Sequence, residues 1–354
     1  MNVIKKERNS ILKEKGLFIR ELFKEKEEDY SSGIYYGHEP SYFDFFDDWD
    51  VIYPKYRSLV DDAIKSEKNG FILLYGESYV GKTCVAKRIL VDFMKEGYNA
   101  IELGNVDSNN INLAFIDYLQ NLPPNSKVAL FVDDAAYQYR DLADIIQSCP
   151  ENITHLVIVT EDVIGNHNIK KYHFKDLPKN KYYVNELHIK EEMNREYAKN
   201  VFEKLSEKKR LNRYLKHTPK NISLEKSRHL ILEKMIDLGD IVDVLYYSSE
   251  GKKFTQHYEK LIEQKFKSYN KFLKTVCVLG DLGIEKIPNR LLSILPPYLT
   301  SSEIKNLFNQ NPDEKIIYEE RGKIRLRCRR IINDVLKNEN SDVEEILRQT
   351  ALST

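Results

Sequence analysis

The sequence has no excess of charge of either sign, which limits the partners that the molecule as a whole can attract. Lysine and arginine together number 55, as do aspartate and glutamate, so the formal net charge is zero. A strongly basic or acidic protein attracts nucleic acid or charged membranes through its overall field. Any such partner of this chain must therefore be bound by a local patch.

Long apolar runs and paired cysteines are also lacking. No run of 18 apolar residues occurs, and the first residues lead into lysines rather than an apolar signal segment, so we expect a cytoplasmic protein with no membrane partner. The four cysteines, Cys84, Cys149, Cys277 and Cys328, are widely separated and form no CxxC pair. Their spacing favours neither a zinc site nor a disulfide framework.

What the sequence does contain is enough apolar surface for more than one core. Hydrophobic residues make up 42 % of the 354 residues and charged residues 31 %, as is typical of globular proteins. A chain of this length exceeds one compact core, so we expect several domains. The predicted division is an N-terminal helical and aromatic-rich segment, an α/β domain, a helical domain, a smaller third domain and a C-terminal tail, at residues 1–55, 56–180, 181–267, 268–340 and 341–354.

Strand-like and helix-like segments alternate in the second of these parts, which predicts an α/β fold with a parallel sheet. The strand candidates are residues 71–75, 99–103, 128–132 and 155–160. Outside them, apolar spacing predicts an amphipathic helix near residues 11–23, helices at 56–68, 138–148, 191–205 and 224–238, and a hairpin near 315–324. The aromatic residues between 30 and 53 indicate an irregular segment packed on another element.

A glycine-rich segment, GESYVGKT, follows the first strand candidate and precedes a helical pattern, which is the order of a phosphate-binding loop. Gly76 and Gly81 allow backbone angles that direct amide hydrogens at phosphate oxygens, and the N-terminus of the helix adds positive potential. We predict that ATP, or another nucleoside triphosphate, is bound by the loop and the first helical turn: Gly76, Glu77, Ser78, Tyr79, Val80, Gly81, Lys82, Thr83 and Cys84.

The same segments contain candidates for catalysis and for a Mg²⁺ ion. Lys82 is expected to bridge the β- and γ-phosphates, and the hydroxyl of Thr83 to bind magnesium. Asp133, at the end of the apolar strand in VALFVDDA, is the second predicted magnesium ligand. Asp134 is expected to polarise the attacking water, and Thr160, on the next strand, to contact that water or the γ-phosphate. The alternatives are that the two aspartates begin a turn and that Thr160 caps its strand.

These motifs together resemble the STAND class, the signal-transducing relatives of the AAA+ ATPases, over residues 30 to 336. The resemblance also includes the segments LHIKEEMNREYAKNVFEKL and DLGDIVDVLYYSSEGKKF, which are similar to the family's helical lid. The segments KFLKTVCVLGDLGIEKIPNRLLSIL and YEERGKIRLRCRRIINDVL are similar to its winged-helix domain. The sequence departs from the family at Glu161, where an arginine is common, and at Cys328, where a histidine is expected.

The resemblance implies a P-loop NTPase parallel sheet followed by a helical lid and a winged-helix domain. The stretch YYGHEPSYFDFF is similar to prokaryotic members of the class that act in antiviral defence. The implied function is an ATPase switch whose ATP-bound form assembles into a homo-oligomer and controls a separate effector. Slow hydrolysis is expected because Asp134 is shorter than the glutamate of fast AAA+ motors.

Two other readings remain open at this stage. The first is a DNA-binding ATPase of the initiator or transposition-regulator type, in which nucleic acid is bound through Arg325, Arg327 and Arg329. The second is a nucleotide-binding scaffold for a separate effector subunit. The sequence does not identify the trigger, the effector, the number of protomers or an arginine finger.

Overall fold

The chain forms two compact units, which are described separately. The first unit comprises residues 1–32 and 40–208, and the second comprises residues 33–39 and 209–354. The five-part domain division stays a prediction. The computed structural model describes residues 16–25, 32, 34–36, 40–76, 80–103, 109–133, 139–162, 181–190, 193–216, 218–219, 222–254, 256, 272–273, 276–277, 287–288, 317–320 and 323–326.

A six-stranded sheet lies at the centre of the first unit. Its strands are β1 (Gly16–Phe18), β2 (Gly70–Gly76), β3 (Asn99–Leu103), β4 (Lys127–Val132), β5 (Thr154–Asp162) and β6 (Tyr183–His188). Their order in the sheet is β1-β3-β4-β5-β2-β6, and every neighbouring pair is parallel except β1 with β3. The predicted α/β fold with a parallel sheet is therefore confirmed.

Seven helices of the described residues belong to the first unit. They are α1 (Ile19–Lys24), α2 (Tyr42–Phe46), α3 (Tyr56–Ser66), α4 (Lys82–Lys95), α5 (Asn109–Gln120), α6 (Tyr139–Gln147) and α7 (Arg195–Glu207). Because successive side chains of a strand point to opposite faces, the sheet supplies two cores. The core on the α4 face includes Ile72, Leu74, Ala129, Phe131 and Ile158, packed with α2, α3 and α4.

The opposite face of the sheet has its own core, which includes Phe71, Leu73, Leu130 and Val157, packed with residues of α5 and α6. The strands in the middle of the sheet are therefore covered on both sides. This explains why β2, β4 and β5 contain continuous apolar runs, from which they were predictable.

The edges of the sheet differ from the sequence prediction. Residues 16–18, for which an amphipathic helix was expected, form the antiparallel edge strand β1, and the helix begins at Ile19. Strand β6 lies in a region expected to be helical. It pairs only with β2 in the described residues, and most of its side chains are partly exposed, so its sequence lacks the apolar run of a central strand.

The second unit contains a short 3₁₀ helix and three α-helices among its described residues. They are the 3₁₀ helix Ile34–Tyr36, α8 (Asn212–Lys216), α9 (Leu224–Leu238) and α10 (Ile241–Glu250). The 3₁₀ helix packs on α10, and Tyr35 is fully buried. The hydroxyl of Tyr214 donates to the carbonyl of Val244 at 2.8 Å, which ties α8 to α10.

A small antiparallel sheet also belongs to the second unit. It consists of β7 (Ile287–Pro288), β8 (Ile317–Glu320) and β9 (Lys323–Leu326), in the order β7-β9-β8. Strands β8 and β9 form the predicted hairpin, and Arg325 lies on β9. Arg327 and Arg329 lie outside the described residues, and the winged-helix domain stays a prediction. No helix within the described ranges is both long enough and apolar enough to cross a bilayer.

Candidate functional site

The loop after β2 is shaped by two glycines that have different reasons to be glycine. A Cβ atom on Gly76 would lie 2.2 Å from the carbonyl oxygen of Ile189, so no larger residue fits beside the end of β6. Gly81 has a φ of 93°, in the left-handed region that glycine adopts at little cost. The carbonyl of Gly81 accepts a hydrogen bond from the amide of Val85 at 3.0 Å, which begins α4. The predicted order of strand, loop and helix is present.

Lys82 lies in the first turn of α4, and its side chain extends back to the end of β2. Its side chain is buried, and its Nζ donates a hydrogen bond to the carbonyl oxygen of Gly76 at 3.1 Å. A phosphate oxygen would offer this ammonium group a charged acceptor in place of a neutral carbonyl, and charge-assisted hydrogen bonds are the stronger kind. The side chain therefore lies where the loop can present it to a phosphate.

Three predicted residues meet at the carboxyl ends of the central strands. The hydroxyl of Thr83 lies 3.3 and 3.2 Å from the two carboxylate oxygens of Asp133. Thr160 donates its hydroxyl hydrogen to the Oδ1 atom of Asp133. The strand order explains this meeting, because β5 is inserted between β4 and β2 and so places Thr160 next to Asp133. Thr160 is part of β5 rather than its last residue.

Thr83 and Asp133 suit a magnesium ion in their chemistry. Mg²⁺ prefers hard oxygen ligands and is usually held by one or two carboxylates together with substrate phosphates and water. No group of three histidine, cysteine, aspartate or glutamate side chains among the described residues could hold a metal ion. Thr83 and Asp133 would thus supply part of the coordination shell, and a bound triphosphate and water would supply the rest.

The predicted nucleotide-binding residues also include Val80 and Cys84, on either side of Gly81, Lys82 and Thr83. Val80 is buried, and Cys84 is half-buried in the first turn of α4. Glu77, Ser78, Tyr79 and Asp134 lie outside the described residues, so their contacts with nucleotide and water stay predictions.

Two residues near this site were not predicted from the sequence. Glu102 lies on the α4 face of β3, since it alternates with Ile101 and Leu103 of the opposite core. Tyr42 lies in α2 and is buried against the same face. Burial raises the pKa of the Tyr42 hydroxyl well above its ordinary value, and the carboxylates of Glu102 and then Asp133 raise it further. Tyr42 therefore links α2 electrostatically to the acidic end of the sheet.

A buried ion cluster anchors the segment that carries Tyr42 to the helix that carries Lys82. Arg88 of α4 contacts Asp48 at 2.5 Å and Asp50 at 2.7 Å, and it donates to the carbonyl of Phe45 at 3.0 Å. Burial disfavours the charged form of Arg88, but Asp50 and Asp92 hold its pKa above the usual value. The predicted irregular aromatic segment is thus packed on α4, and it contains the short helix α2.

The site can be compared with known proteins. A family model described as Novel STAND NTPase 3 matches residues 56–218. A STAND protein with a tetratricopeptide repeat sensor from Pyrococcus horikoshii is similar in structure, with 14 % identity and a TM-score of 0.39 over 90 % of this chain and 46 % of that chain. The present chain thus spans less than half of that protein. A comparison with curated proteins found no match.

Two further solved structures are similar to this chain at comparable levels. One is a Walker-type ATPase of Pyrococcus abyssi, with 12 % identity, coverage of 79 % of this chain and 95 % of that one, and a TM-score of 0.31. The other is Drosophila ORC bound to DNA, with 11 % identity, coverage of 88 % and 95 %, and a TM-score of 0.31.

The family match includes the glycine-rich loop, Lys82, Thr83, Asp133 and Thr160. The resemblance to the STAND class that the sequence predicts is confirmed by this match, which covers residues 56–218.

Proposed function

We propose that this chain is an ATP-binding, slowly hydrolysing molecular switch. One observation carries the proposal. At the start of α4, the Nζ atom of Lys82 contacts the Gly76 carbonyl, and the hydroxyl of the next residue, Thr83, lies 3.2 Å from a carboxylate oxygen of Asp133. An ammonium group, a hydroxyl and a carboxylate in this arrangement fit the phosphates of a nucleotide and its accompanying cation.

Each residue has a definite part in the proposed mechanism. The loop amides and the N-terminus of α4 bind the phosphates, and Lys82 turns from the Gly76 carbonyl to the β- and γ-phosphate oxygens. Thr83 and Asp133 would hold Mg²⁺, which when bound supplies positive charge next to the γ-phosphoryl group. Thr160 fixes the Asp133 carboxylate through its hydrogen bond. Asp134 polarises the attacking water, and its short side chain makes hydrolysis slow.

The switch itself requires that ATP bind two arrangements of the chain with different affinities, because a ligand shifts an equilibrium only by that difference. The predicted lid and winged-helix regions would be the parts that respond. We further propose that the ATP-bound form assembles into a homo-oligomer and acts on a separate effector, as the resemblance to antiviral STAND proteins implies. The cytoplasmic location belongs to the same proposal.

Nucleotide binding is tested by replacing Lys82 with alanine. The variant loses a charge-assisted contact with the phosphates, so we expect its affinity for ATP with Mg²⁺ to fall on the order of 100-fold. The measurement is titration calorimetry. Lys95→Ala, which removes a partly exposed lysine at the other end of the same helix, should bind like the wild type. Equal affinities for the wild type and Lys82→Ala would refute the proposal.

Oligomerisation is tested by light scattering of the full chain with and without ATP and Mg²⁺. The switch proposal expects a larger particle with ATP in the absence of DNA, and no such growth for Lys82→Ala. The DNA-binding alternative expects growth that requires DNA, weakens steeply between low and moderate salt and disappears when Arg325, Arg327 and Arg329 are replaced by alanine. If the particle size depends on neither ATP nor DNA, the result favours the third alternative, a nucleotide-binding scaffold for a separate effector subunit.

A further inference from the structure

Glu102 and Asp133 come from adjacent strands and project from the same face of the sheet. Leu103 of β3 is paired with Val132 of β4, so Glu102 precedes this pair by one residue and Asp133 follows it by one. Parallel strands lie about 4.8 Å apart and rise about 3.3 Å per residue, which places the two Cα atoms about 8 Å apart. Their side chains can therefore approach the same small volume next to the magnesium ligands.

Tyr42 provides an independent sign that this volume receives a polar ligand. Its side chain is only 4 % exposed, and its hydroxyl makes no hydrogen bond of ordinary geometry within the described residues. Burial raises the pKa of this hydroxyl, and the carboxylates of Glu102 and then Asp133, from the adjacent strands, raise it further. A buried hydroxyl is costly without a well-formed partner, so it marks a place where a group is positioned for a further contact.

Within the described residues, Glu102 takes part in no ion pair. The ion pairs near α4 use Arg88 and Lys95. Lys87 of α4 lies over the ring of Tyr42 and donates to the carbonyl of Pro40. The two oxygens of a carboxylate offer about four acceptor sites, so Glu102 can accept a hydrogen bond from water beside its interaction with Tyr42.

We propose that Glu102 is a second acidic residue of the hydrolytic site, that it accepts a hydrogen bond from the attacking water, and that Tyr42 positions its carboxylate. This inference rests on the proposed ATPase function. It is compatible with the role proposed for Asp134, because a water molecule has two hydrogens and each carboxylate can accept one. The side chain of Glu102 is longer than that of Asp134, and it extends from β3, which lies outside the glycine-rich motif.

The reaction that this arrangement serves is hydrolysis of a nucleoside triphosphate. The water oxygen forms a bond to the γ-phosphorus, and the bond from that phosphorus to the β–γ bridging oxygen breaks, with its electron pair going to the bridging oxygen. As the bond to phosphorus forms, one of the two water protons leaves its carboxylate acceptor and passes to a γ-phosphate oxygen, so the products are the diphosphate and inorganic phosphate. Glu102 contributes by orienting the water, as a correctly aligned nucleophile lowers the barrier.

The main test compares Glu102→Gln with the wild type in the full chain. Glutamine keeps the size of the side chain but weakens the acceptor, so we expect phosphate release to fall about 100-fold. The affinity for a fluorescent ATP analogue with Mg²⁺ should stay within about twofold, since Glu102 is not proposed to hold the phosphates. Glu151→Gln is the matched control, because it makes the same change on an exposed residue before β5.

A second variant tests the positioning role of Tyr42. Tyr42→Phe keeps the ring packing and removes only the hydroxyl, so we expect about a fivefold fall in the rate with unchanged nucleotide affinity. The thermal midpoint of the nucleotide-free protein should not fall, because the lost hydroxyl has no good hydrogen bond there. Tyr98→Phe, a buried tyrosine directly before β3, is the control and should keep the wild-type rate.

The binding of Mn²⁺, followed by electron paramagnetic resonance, separates the water role from direct metal binding. Unchanged Mn²⁺ affinity in Glu102→Gln, with slow hydrolysis, supports the proposal. A tenfold loss of Mn²⁺ or nucleotide affinity overturns it, and so does hydrolysis at the wild-type rate. A wild-type chain that binds ATP through Lys82 but releases no phosphate also overturns it, whereas binding that does not depend on Lys82 refutes the proposed function itself.

Discussion

The two faces of the six-stranded sheet use buried polar groups in opposite ways. On the α4 face, the carboxyl ends of the strands carry Glu102, Asp133 and Thr160, and a buried arginine is surrounded by carboxylates. On the opposite face, the core is apolar except for His155, whose two ring nitrogens have no hydrogen-bond partner in the described residues. The α4 face combines packing with charged contacts that can respond to a ligand, whereas the opposite face depends on packing alone.

The largest expected effect is on the α4 face, at Arg88. Replacing Arg88 with leucine leaves the buried carboxylate of Asp50 without its cation, and such a change costs about 3–5 kcal/mol of the free energy of unfolding. Urea denaturation measures it. If the face depends on the ion cluster, the double variant Arg88→Leu with Asp50→Leu should regain much of the loss, because no buried charge is then left unpaired.

The control for this comparison is Lys95→Leu, which removes a partly exposed lysine 3.9 Å from Asp48. An exposed ion pair contributes little, so we expect a change below about 1 kcal/mol. If Arg88→Leu and Lys95→Leu lower the free energy of unfolding equally, the buried ion cluster contributes no more than an exposed ion pair. The proposed difference between the two faces of the sheet is then wrong for Arg88.

A smaller effect is expected on the opposite face, at His155. Burial against Phe115 lowers the pKa of His155 to about 3, whereas an unfolded chain binds a proton near pH 6.5. The unfolded state therefore binds more protons between these values, and stability falls as the pH falls through this window. From pH 7.5 to pH 5.0 this histidine should cost about 2 kcal/mol.

The measurement is the urea midpoint at both pH values for the wild type and His155→Leu. The variant should lose less stability on acidification, because leucine has no proton to bind. His229→Leu is the control, since His229 lies on the exposed side of α9. A wild type and a His155→Leu variant with the same pH dependence would show that His155 does not make this face acid-sensitive.

The smallest expected effect is on turnover and concerns Thr160. Thr160→Val keeps the shape of the side chain but removes the hydroxyl that donates to Asp133, so we expect phosphate release to fall about tenfold, equivalent to about 1.4 kcal/mol. Thr154→Val, at the start of the same strand, is the matched control and should leave the rate unchanged. A normal rate for Thr160→Val would favour the simpler role of Thr160 as a strand residue.

The same contrast explains which features were predictable from the sequence. Strands β2, β4 and β5 were predictable because central strands are covered on both faces and contain continuous apolar runs. Gly76, Lys82 and Thr83 are close together in the chain and could be predicted as one motif, whereas Asp133 could be predicted because it directly follows the apolar strand β4. Glu102 could not, since a single carboxylate within a strand normally indicates a solvent-facing position. Glu102 lies near Asp133 only because β3 pairs with β4, and this pairing cannot be read from the sequence alone.

The position of the Tyr42 hydroxyl near the site could not be predicted from the sequence for a related reason. An aromatic residue in a segment with several others indicates packing, and its ring does pack with Phe45 and Phe46. The position of its hydroxyl depends on how Arg88 and Lys87 hold the segment on α4, which involves residues more than 40 positions away in the chain. Strands β1 and β6 were missed because edge strands are short or partly exposed and lack the apolar pattern of the centre.

The insertion of β5 between β4 and β2 also has a consequence for how the protein is made. Strand β2 is synthesised early, yet Gly70 pairs with Leu156 on one side and with Tyr183 on the other. Pairings between such distant residues form late, because a long loop must first be closed. A ribosome that has released the glycine-rich loop has therefore not yet produced the proposed nucleotide site. The nascent chain acquires one only when β6 has emerged, so an interrupted product ending before Tyr183 should not compete for ATP.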